Sequence, residues 1–265
     1  MRSETTQCVD CGVQFEQMIY VRPDGTDVPY DNRCDDCSGK YERQLKHEAH
    51  MREVSQASME RKTEWRTRIV RELGDKFKGA TFASFNKAKQ PAAFKALSVW
   101  DGQSFMLASP PEVYGVGKTH LVAALANQLV ETHDAAISVQ GQVVRLPRPV
   151  IFTTEPILMD RIRATFHDDA RETDELIYQE LVNVRLLIID DVGKRVPRDL
   201  SFTQQVWYRI IDGRYTGNRP IILTTNMLPS EIEDHIGGAS TDRLTEMCGP
   251  KGWLVLKGQS YRRQK

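Results

Sequence analysis

The stretch SFMLASPPEVYGVGKTHL, residues 104–121, constrains this chain most. An apolar run enters a turn holding two glycines and leaves through Lys118-Thr119 into the helical pattern VAALANQLV. A strand that closes in a glycine-rich turn and opens a helix leaves backbone N–H groups unpaired at the helix N-terminus, where they can surround a phosphate. The pattern for such a loop is G-x-x-x-x-G-K-[ST], with the lysine on the β- and γ-phosphates and the hydroxyl on Mg²⁺. Gly117, Lys118 and Thr119 satisfy it, and Gly115 adds a second glycine. The first glycine is replaced by Glu112, whose carboxylate repels a triphosphate unless it points away and whose backbone lacks glycine's freedom. The alternative is an ordinary strand-to-helix turn.

With 265 residues the chain can bury one α/β core and keep material for a small extra module. Lys plus Arg and Asp plus Glu both total 36, so bulk charge gives no argument for a nucleic-acid or membrane partner. No apolar run is long enough to span a bilayer, and MRSETTQCVDC lacks the apolar stretch of a secretory signal; a cytoplasmic protein is expected.

Four of the five cysteines fall as Cys8-x-x-Cys11 and Cys34-x-x-Cys37, with Cys248 far away. Two such pairs suit a four-thiolate Zn²⁺ site, since each pair spans one edge of a tetrahedron, and a cytoplasmic chain argues against disulfides. The 22 residues between the pairs leave room for a β-ribbon through QMIYVRPDGTDVPY. Four thiolates leave zinc no open position, so the site is structural and supplies folding energy to a module too small to bury a core. Cys248 reads as a semi-buried small apolar residue.

The expected domains are a zinc-binding module over 1–40, a helical linker over 41–77 and a nucleotide-binding domain over 78–265. The linker is highly charged, with Trp65, Ile69, Val70 and Leu73 on one helical face for docking. His47 and His50 share a helical face, read as solvated rather than metal-binding. From Gly79 on, a lead-in segment with Phe82 and Phe85 precedes alternating strands and helices. The strands are SFMLAS, PVIFTTE, RLLIIDDVG, RPIILTTN and GWLVLKG, and SVQGQVVRLPR is a polar insertion. Continuously apolar strands alternating with helices indicate an α/β fold with a parallel five-stranded sheet covered on both faces.

The strand RLLIIDDVG ends in two carboxylates. Asp190 there would hold Mg²⁺ and Asp191 would polarise the attacking water. Asn226, closing IILTTN, either orients that water without adding charge or serves as a turn residue after a strand.

Together G-x-G-K-T-H-L at 115–121, LLIIDDVG at 186–193, Arg214-Tyr215, IILTTN at 221–226, DRL at 242–244 and SYR at 260–262 resemble the AAA+ P-loop ATPases. More narrowly they resemble the DnaC/IstB group, which includes the bacterial and phage helicase loaders. The resemblance implies ATP binding by Gly115, Val116, Gly117, Lys118, Thr119 and His120, Mg²⁺ at Thr119 and Asp190, and catalysis by Lys118, Asp191 and Asn226. It further implies that Arg243 is an arginine finger acting on ATP of a neighbouring subunit, so hydrolysis depends on self-association or mixed assembly. Arg243 otherwise reads as a surface residue pairing with Asp242 or Glu246. Arg214 and Arg262 also match, as phosphate or interface contacts.

A zinc-ribbon-like module joined to such an ATPase is similar to loaders of the DnaC/DnaI type. That likeness implies that the zinc module grips a DnaB-type replicative helicase while the ATPase domain binds single-stranded DNA. Arg145, Arg148, Arg161 and Arg163, with Phe166 as a stacking ring, are the candidates for DNA, against the reading of scattered solvated arginines. The rivals are an IstB-like transposition helper and a nucleotide-binding adaptor that does not hydrolyse. Asp191, where many relatives have Glu, is one methylene shorter and suits slow turnover.

Overall fold

A computed structural model describes residues 2–24, 26–29, 31–167 and 169–261. It divides into two compact units, Met1–Met59 with Ala136–Arg145, and Glu60–Ala135 with Leu146–Lys265. Among the described residues no helix is long and apolar enough to cross a membrane. Arg262 lies outside them.

In the first unit β1 (Arg2–Gln7), β2 (Gln14–Val21) and β3 (Asp27–Pro29) form an antiparallel sheet in that order; β2 and β3 are the ribbon expected between the cysteine pairs, and β1, ahead of Cys8, is an addition to it. Helix α1 (Asp35–Phe77) follows at once, with Asp35 and Asp36 in its first turn, where carboxylates suit the helix dipole. Helical geometry breaks at Gly74 (φ 67°, ψ 173°). The segment read as a polar insertion is a β-hairpin, β5 (Ala136–Val139) with β6 (Gln142–Arg145). Gln140 and Gly141 both take positive φ at its tip, the two-residue turn that matches strand twist. His50 is partly exposed, and its Nε2 lies 2.6 Å from Ser138 Oγ on this hairpin.

In the second unit the strands are β4 (Phe105–Ala108), β7 (Val150–Thr154), β8 (Leu186–Val192), β9 (Ile221–Thr225) and β10 (Trp253–Val255). They form one parallel sheet in the order β10-β4-β9-β8-β7. The intervening helices are α2 (Pro91–Ser98), α3 (Lys118–Thr132), α4 (Glu155–Ala164), α5 (Asp174–Asn183), α6 (Leu200–Thr216), α7 (Pro229–Ile236) and α8 (Gly238–Cys248).

Alternate residues of each strand feed separate cores, as a sheet covered on both faces requires. Phe105, Leu107, Leu186, Ile188 and Ile222 pack with α2, α3 and the α1 residues Trp65, Ile69 and Leu73. Met106, Leu187, Ile189, Ile221 and Leu223 pack with α4 to α8. Val70, expected on the docking face of α1, is exposed. Cys248 is completely buried, and burial pushes its thiol up to about 12.

Arg214 makes no phosphate or interface contact; it is fully buried. Its guanidinium donates to the carbonyls of Leu181 (2.5 Å), Val182 (3.2 Å), Arg185 (3.4 Å) and Pro220 (2.5 Å), which tie α5 to the starts of β8 and β9. Burial draws it down to about 9, still charged at neutral pH. Replacing it by methionine strands those acceptors out of water. Arg214→Met is therefore expected to cost about 3 kcal/mol or more of folding free energy in urea unfolding; a change under about 1 kcal/mol would contradict this role.

Candidate active site and metal centre

The carboxyl ends of β4, β8 and β9 are neighbours, and ligands of parallel sheets bind outside such ends. From β4 the chain turns through Pro110 and Pro111, with Val113 N–H on the Pro110 carbonyl at 2.9 Å. Gly115 (φ 71°) and Gly117 (φ 101°) then lead into α3, whose N-terminus has no side-chain cap. A Cβ on Gly117 would lie 2.5 Å from the Phe85 ring, so glycine is required there for conformation and for space. Glu112 takes no positive φ, is exposed and does not line the cleft.

Lys118 is buried, its Nζ 2.5 Å from Ser109 Oγ and 3.1 Å from Asn226 Oδ1. The Asn226 amide donates to Ser109 Oγ at 2.9 Å and to the Val113 carbonyl at 3.0 Å, so β9 braces the loop after β4. Thr119 Oγ1 lies 3.0 Å from the Asp190 carboxylate, and Thr224 Oγ1 donates to its other oxygen at 2.5 Å.

Register between β8 and β9 slips by one residue between Ile189 and Val192. This bulge lets two adjacent carboxylates serve one site: Asp190 stays buried under Thr119, while Asp191 (φ 58°) lines the cleft and pairs with Lys194. Burial, followed by the nearby Asp191 charge among the upward influences, pushes Asp190 up to about 6 against donation from Thr224 and Thr119. A buried carboxylate kept from easy ionisation beside a threonine hydroxyl fits a divalent cation such as Mg²⁺.

The cleft encloses about 1290 Å³ and is lined by Gly115 to His120, Asp191, Lys194, Asn226 and His235. His120 faces the lead-in segment, its Nε2 3.1 Å from both Ser84 Oγ and the Thr81 carbonyl. Phe85, Asn86 and Tyr261 form a further wall that the sequence left without a ligand role. Phe85 and Tyr261 rings are 5.8 Å apart, Lys89 Nζ stands 4.1 Å over Tyr261, and Tyr261 N–H donates to the Gly115 carbonyl. Aromatic walls beside a phosphate loop suit a planar base; the two phenylalanines of ATFASF and the closing SYR were its only sequence signal.

Arg243 does not line this cleft and pairs with neither Asp242 nor Glu246. Its Nε is 3.1 Å from Asp212, with Tyr208 and Tyr215 rings against the guanidinium. Of the DNA candidates, Arg148 is held by Glu72 and Glu180, and Arg161 by Glu172 and Glu180. Arg163 lies over the Phe202 ring and 3.7 Å from Asp160, Phe166 is exposed against Phe202, and Arg145 is exposed on β6.

In the first unit Cys8 and Cys11 lie in the β1–β2 connection, Cys34 precedes α1 and Cys37 is in its first turn. All four sulfurs lie within 4.8 Å of one another, with Cys11 and Cys34 3.7 Å apart. Tetrahedral Zn–S bonds of about 2.3 Å place sulfurs about 3.8 Å apart. Backbone donation, foremost from Cys34, holds Cys8 down at about 6, while hydrogen bonding with the Cys11 and Cys34 sulfurs pushes Cys37 up to about 12. Such a quartet resists full ionisation until a cation joins it, which fits Zn²⁺.

The profile of the IstB-like ATP binding protein family matches residues 79–265. The replicative helicase loader DnaC of Escherichia coli K12 is 28% identical over 159 residues, covering 60% of this chain and 56% of the relative. The chain thus spans about half the length of the curated relatives it matches. The chromosomal replication initiator DnaA of Streptococcus agalactiae is 25% identical over 162 residues, 61% of this chain and 30% of that protein. The crystal structure of the DnaC helicase loader superposes with a TM-score of 0.52 at 20% identity, over 69% of this chain and all of that one. That of DnaI gives 0.51 at 16% identity, over 71% and 93%. These likenesses show the AAA+ fold.

Two outcomes test the site. A raised carboxyl pKa means the unfolded chain ionises more readily, so Asp190 withdraws stability as pH rises from about 4 to about 6 and leaves it reduced above. Asp190→Asn is therefore expected to stabilise the nucleotide-free chain by about 1–3 kcal/mol at pH 7, less toward pH 5, while losing Mg²⁺-dependent thermal stabilisation by ATP. Urea melts at both pH values and thermal shifts read this. In the other unit, wild type should carry one zinc by metal analysis and Cys34→Ser none, with amides of β1 and β2 losing exchange protection; full protection without metal would exclude a structural zinc.

Proposed function

This chain belongs to the IstB-like ATP binding protein family, and from that premise we propose that it is an ATP-dependent loader of a hexameric, DnaB-type replicative helicase onto single-stranded DNA. Its identity to DnaC supports the loading role. The observation that carries the ATPase reading is the meeting of Lys118, Thr119, Asp190, Asp191 and Asn226 around one cleft from three adjacent strand ends.

The backbone from Gly115 to His120 and the Lys118 ammonium hold the triphosphate. Thr119 and Asp190 would hold Mg²⁺, which supplies charge neutralisation at the transferred phosphoryl group. Asp191 orients the attacking water once Lys194 releases it, and Asn226 shares that task as a neutral group. Arg243, outside this chain's cleft, acts on ATP of a neighbouring subunit, which makes hydrolysis slow in isolation and faster in an assembly. The division of labour follows the domains: the module over 1–40 with Zn²⁺ on Cys8, Cys11, Cys34 and Cys37 grips the helicase, 41–77 links, and 78–265 binds ATP and DNA. Arg148 and Arg161 hold internal ion pairs, so within the second unit the DNA reading falls on Arg163 and the exposed Phe166.

The test is ATP turnover by the full chain, alone and with a DnaB-type helicase and single-stranded DNA. Lys118→Ala should lose ATP affinity at least 100-fold. Arg243→Ala should keep it within threefold yet lose at least tenfold in kcat, and mixing the two variants should restore part of the turnover. Wild-type hydrolysis that is undetectable in every mixture, with Lys118→Ala still loading helicase, would leave a non-hydrolysing adaptor instead.

A further inference from the structure

Glu155 is a carboxylate sealed inside the nucleotide-binding unit, 4% exposed, to which nothing above gives a part. It opens α4 directly after β7. Two buried side chains and one half-buried backbone amide converge on it from separate elements. Gly193 N–H donates to Oε2 at 2.7 Å; Trp207 Nε1 and His235 Nε2 lie 2.7 and 2.6 Å from Oε1. An indole and a backbone amide only donate, so Glu155 accepts from both, and an ionised Glu155 accepts from His235 Nε2 as well.

Gly193 is two residues beyond Asp191, and both adopt positive φ, 76° and 58°. A Cβ at 193 would lie 1.9 Å from the Met227 sulfur, so glycine alone fits that turn. A left-handed backbone is uncommon for any residue but glycine, although aspartate tolerates it better than most. Two hydrogen bonds impose it here: Asp191 N–H to Thr224 Oγ1 at 3.1 Å, and Gly193 N–H to Glu155. The first comes from β9, the second from the far side of β8. Trp207 on α6 and His235 on α7 fix the Glu155 end of that tether.

We propose that Glu155 is a positioning residue for hydrolysis: by clamping the Gly193 amide it holds the bulged turn in the shape that aims Asp191 into the cleft. This rests on the reading that Asp191 orients the attacking water. It also joins the turn to α7, which begins three residues after Asn226, so both strand ends lining the cleft share one buried anchor. A glutamate that merely satisfied core donors would affect stability without singling out turnover.

Glu155→Gln separates the two roles. One amide oxygen replaces two carboxylate oxygens; facing Trp207 and His235 it satisfies two donors and turns the NH₂ toward Gly193 N–H, releasing the turn while keeping the core bonds. The full-length variant is compared with wild type for turnover under the conditions where wild type is most active, for ATP affinity by titration, and for amide exchange over 191–198. The expected result is a kcat at least tenfold lower, ATP affinity within threefold and faster exchange at Gly193. Unchanged kcat, or affinity and kcat falling together, overturns the proposal. If the variant does not fold, the wild-type Gly193 amide decides: protection of at least 100-fold supports the tether, and exchange at the rate of an unstructured peptide overturns it. A wild-type chain that never turns over ATP, yet protects Gly193, removes the hydrolysis reading beneath the proposal, and with it the proposal, while the tether itself remains.

Discussion

A negative charge withheld from water at the end of β8 is what the second unit is arranged about. Asp190 is buried among two threonine hydroxyls, with Lys118 close enough to lower its pKa and Asp191 close enough to raise it. Core packing alone would not place a carboxylate there, because its desolvation opposes folding. Its surroundings make sense when read for what could join it. The loop after β4 brings an ammonium and a hydroxyl, the bulge in β8 brings a second carboxylate, and β9 brings Thr224 and Asn226. Each contribution comes from a strand end adjacent in the sheet, and the order β4-β9-β8 makes that convergence unavoidable.

The same geometry explains how such a site can rest. Lys118 lies on Ser109 and Asn226, Asp191 on Lys194, and Arg243 on Asp212 between two tyrosines. A charged group already partnered gains only the difference between its old and new partners when a ligand arrives. Under the proposed function, nucleotide engagement is then an exchange of partners.

Much of this was legible in the sequence because it is local or periodic. The five apolar strands, the glycine-rich turn, the paired carboxylates and the C-x-x-C pairs each reside in a few consecutive residues, and their positions in the fold follow. What stayed hidden depends on contacts across distance. Arg214 was read as a phosphate or interface contact, yet the carbonyls at the end of α5 close around it. Arg148 and Arg161 were candidates for DNA, yet Glu72 on α1, Glu172 before α5 and Glu180 on α5 claim them. The hairpin at 136–145 was masked by polar residues whose pairing, rather than burial, makes strands. Phe85, Glu155, His235 and Tyr261 follow one another at separations of 70, 80 and 26 residues, too far for spacing to relate them.

Glu112 shows why a motif must be converted into conformation before it is weighed. The phosphate-loop pattern asks for glycine at its first position, and glutamate there contradicts everything around it. The requirement, however, concerns φ and close approach, and the chain satisfies it elsewhere. Pro111 occupies the second position of a turn closed by Val113 N–H on the Pro110 carbonyl, where proline presets the backbone and the next residue needs no left-handed φ. Positive φ is confined to Gly115 and Gly117, and the steric demand falls on Gly117, against Phe85. With its side chain exposed and outside the cleft lining, the Glu112 carboxylate is screened by water from a bound triphosphate. The turn at Pro110 and Pro111 thus carries Glu112 without a left-handed backbone, and the loop reaches α3 through the positive φ of Gly115 and Gly117.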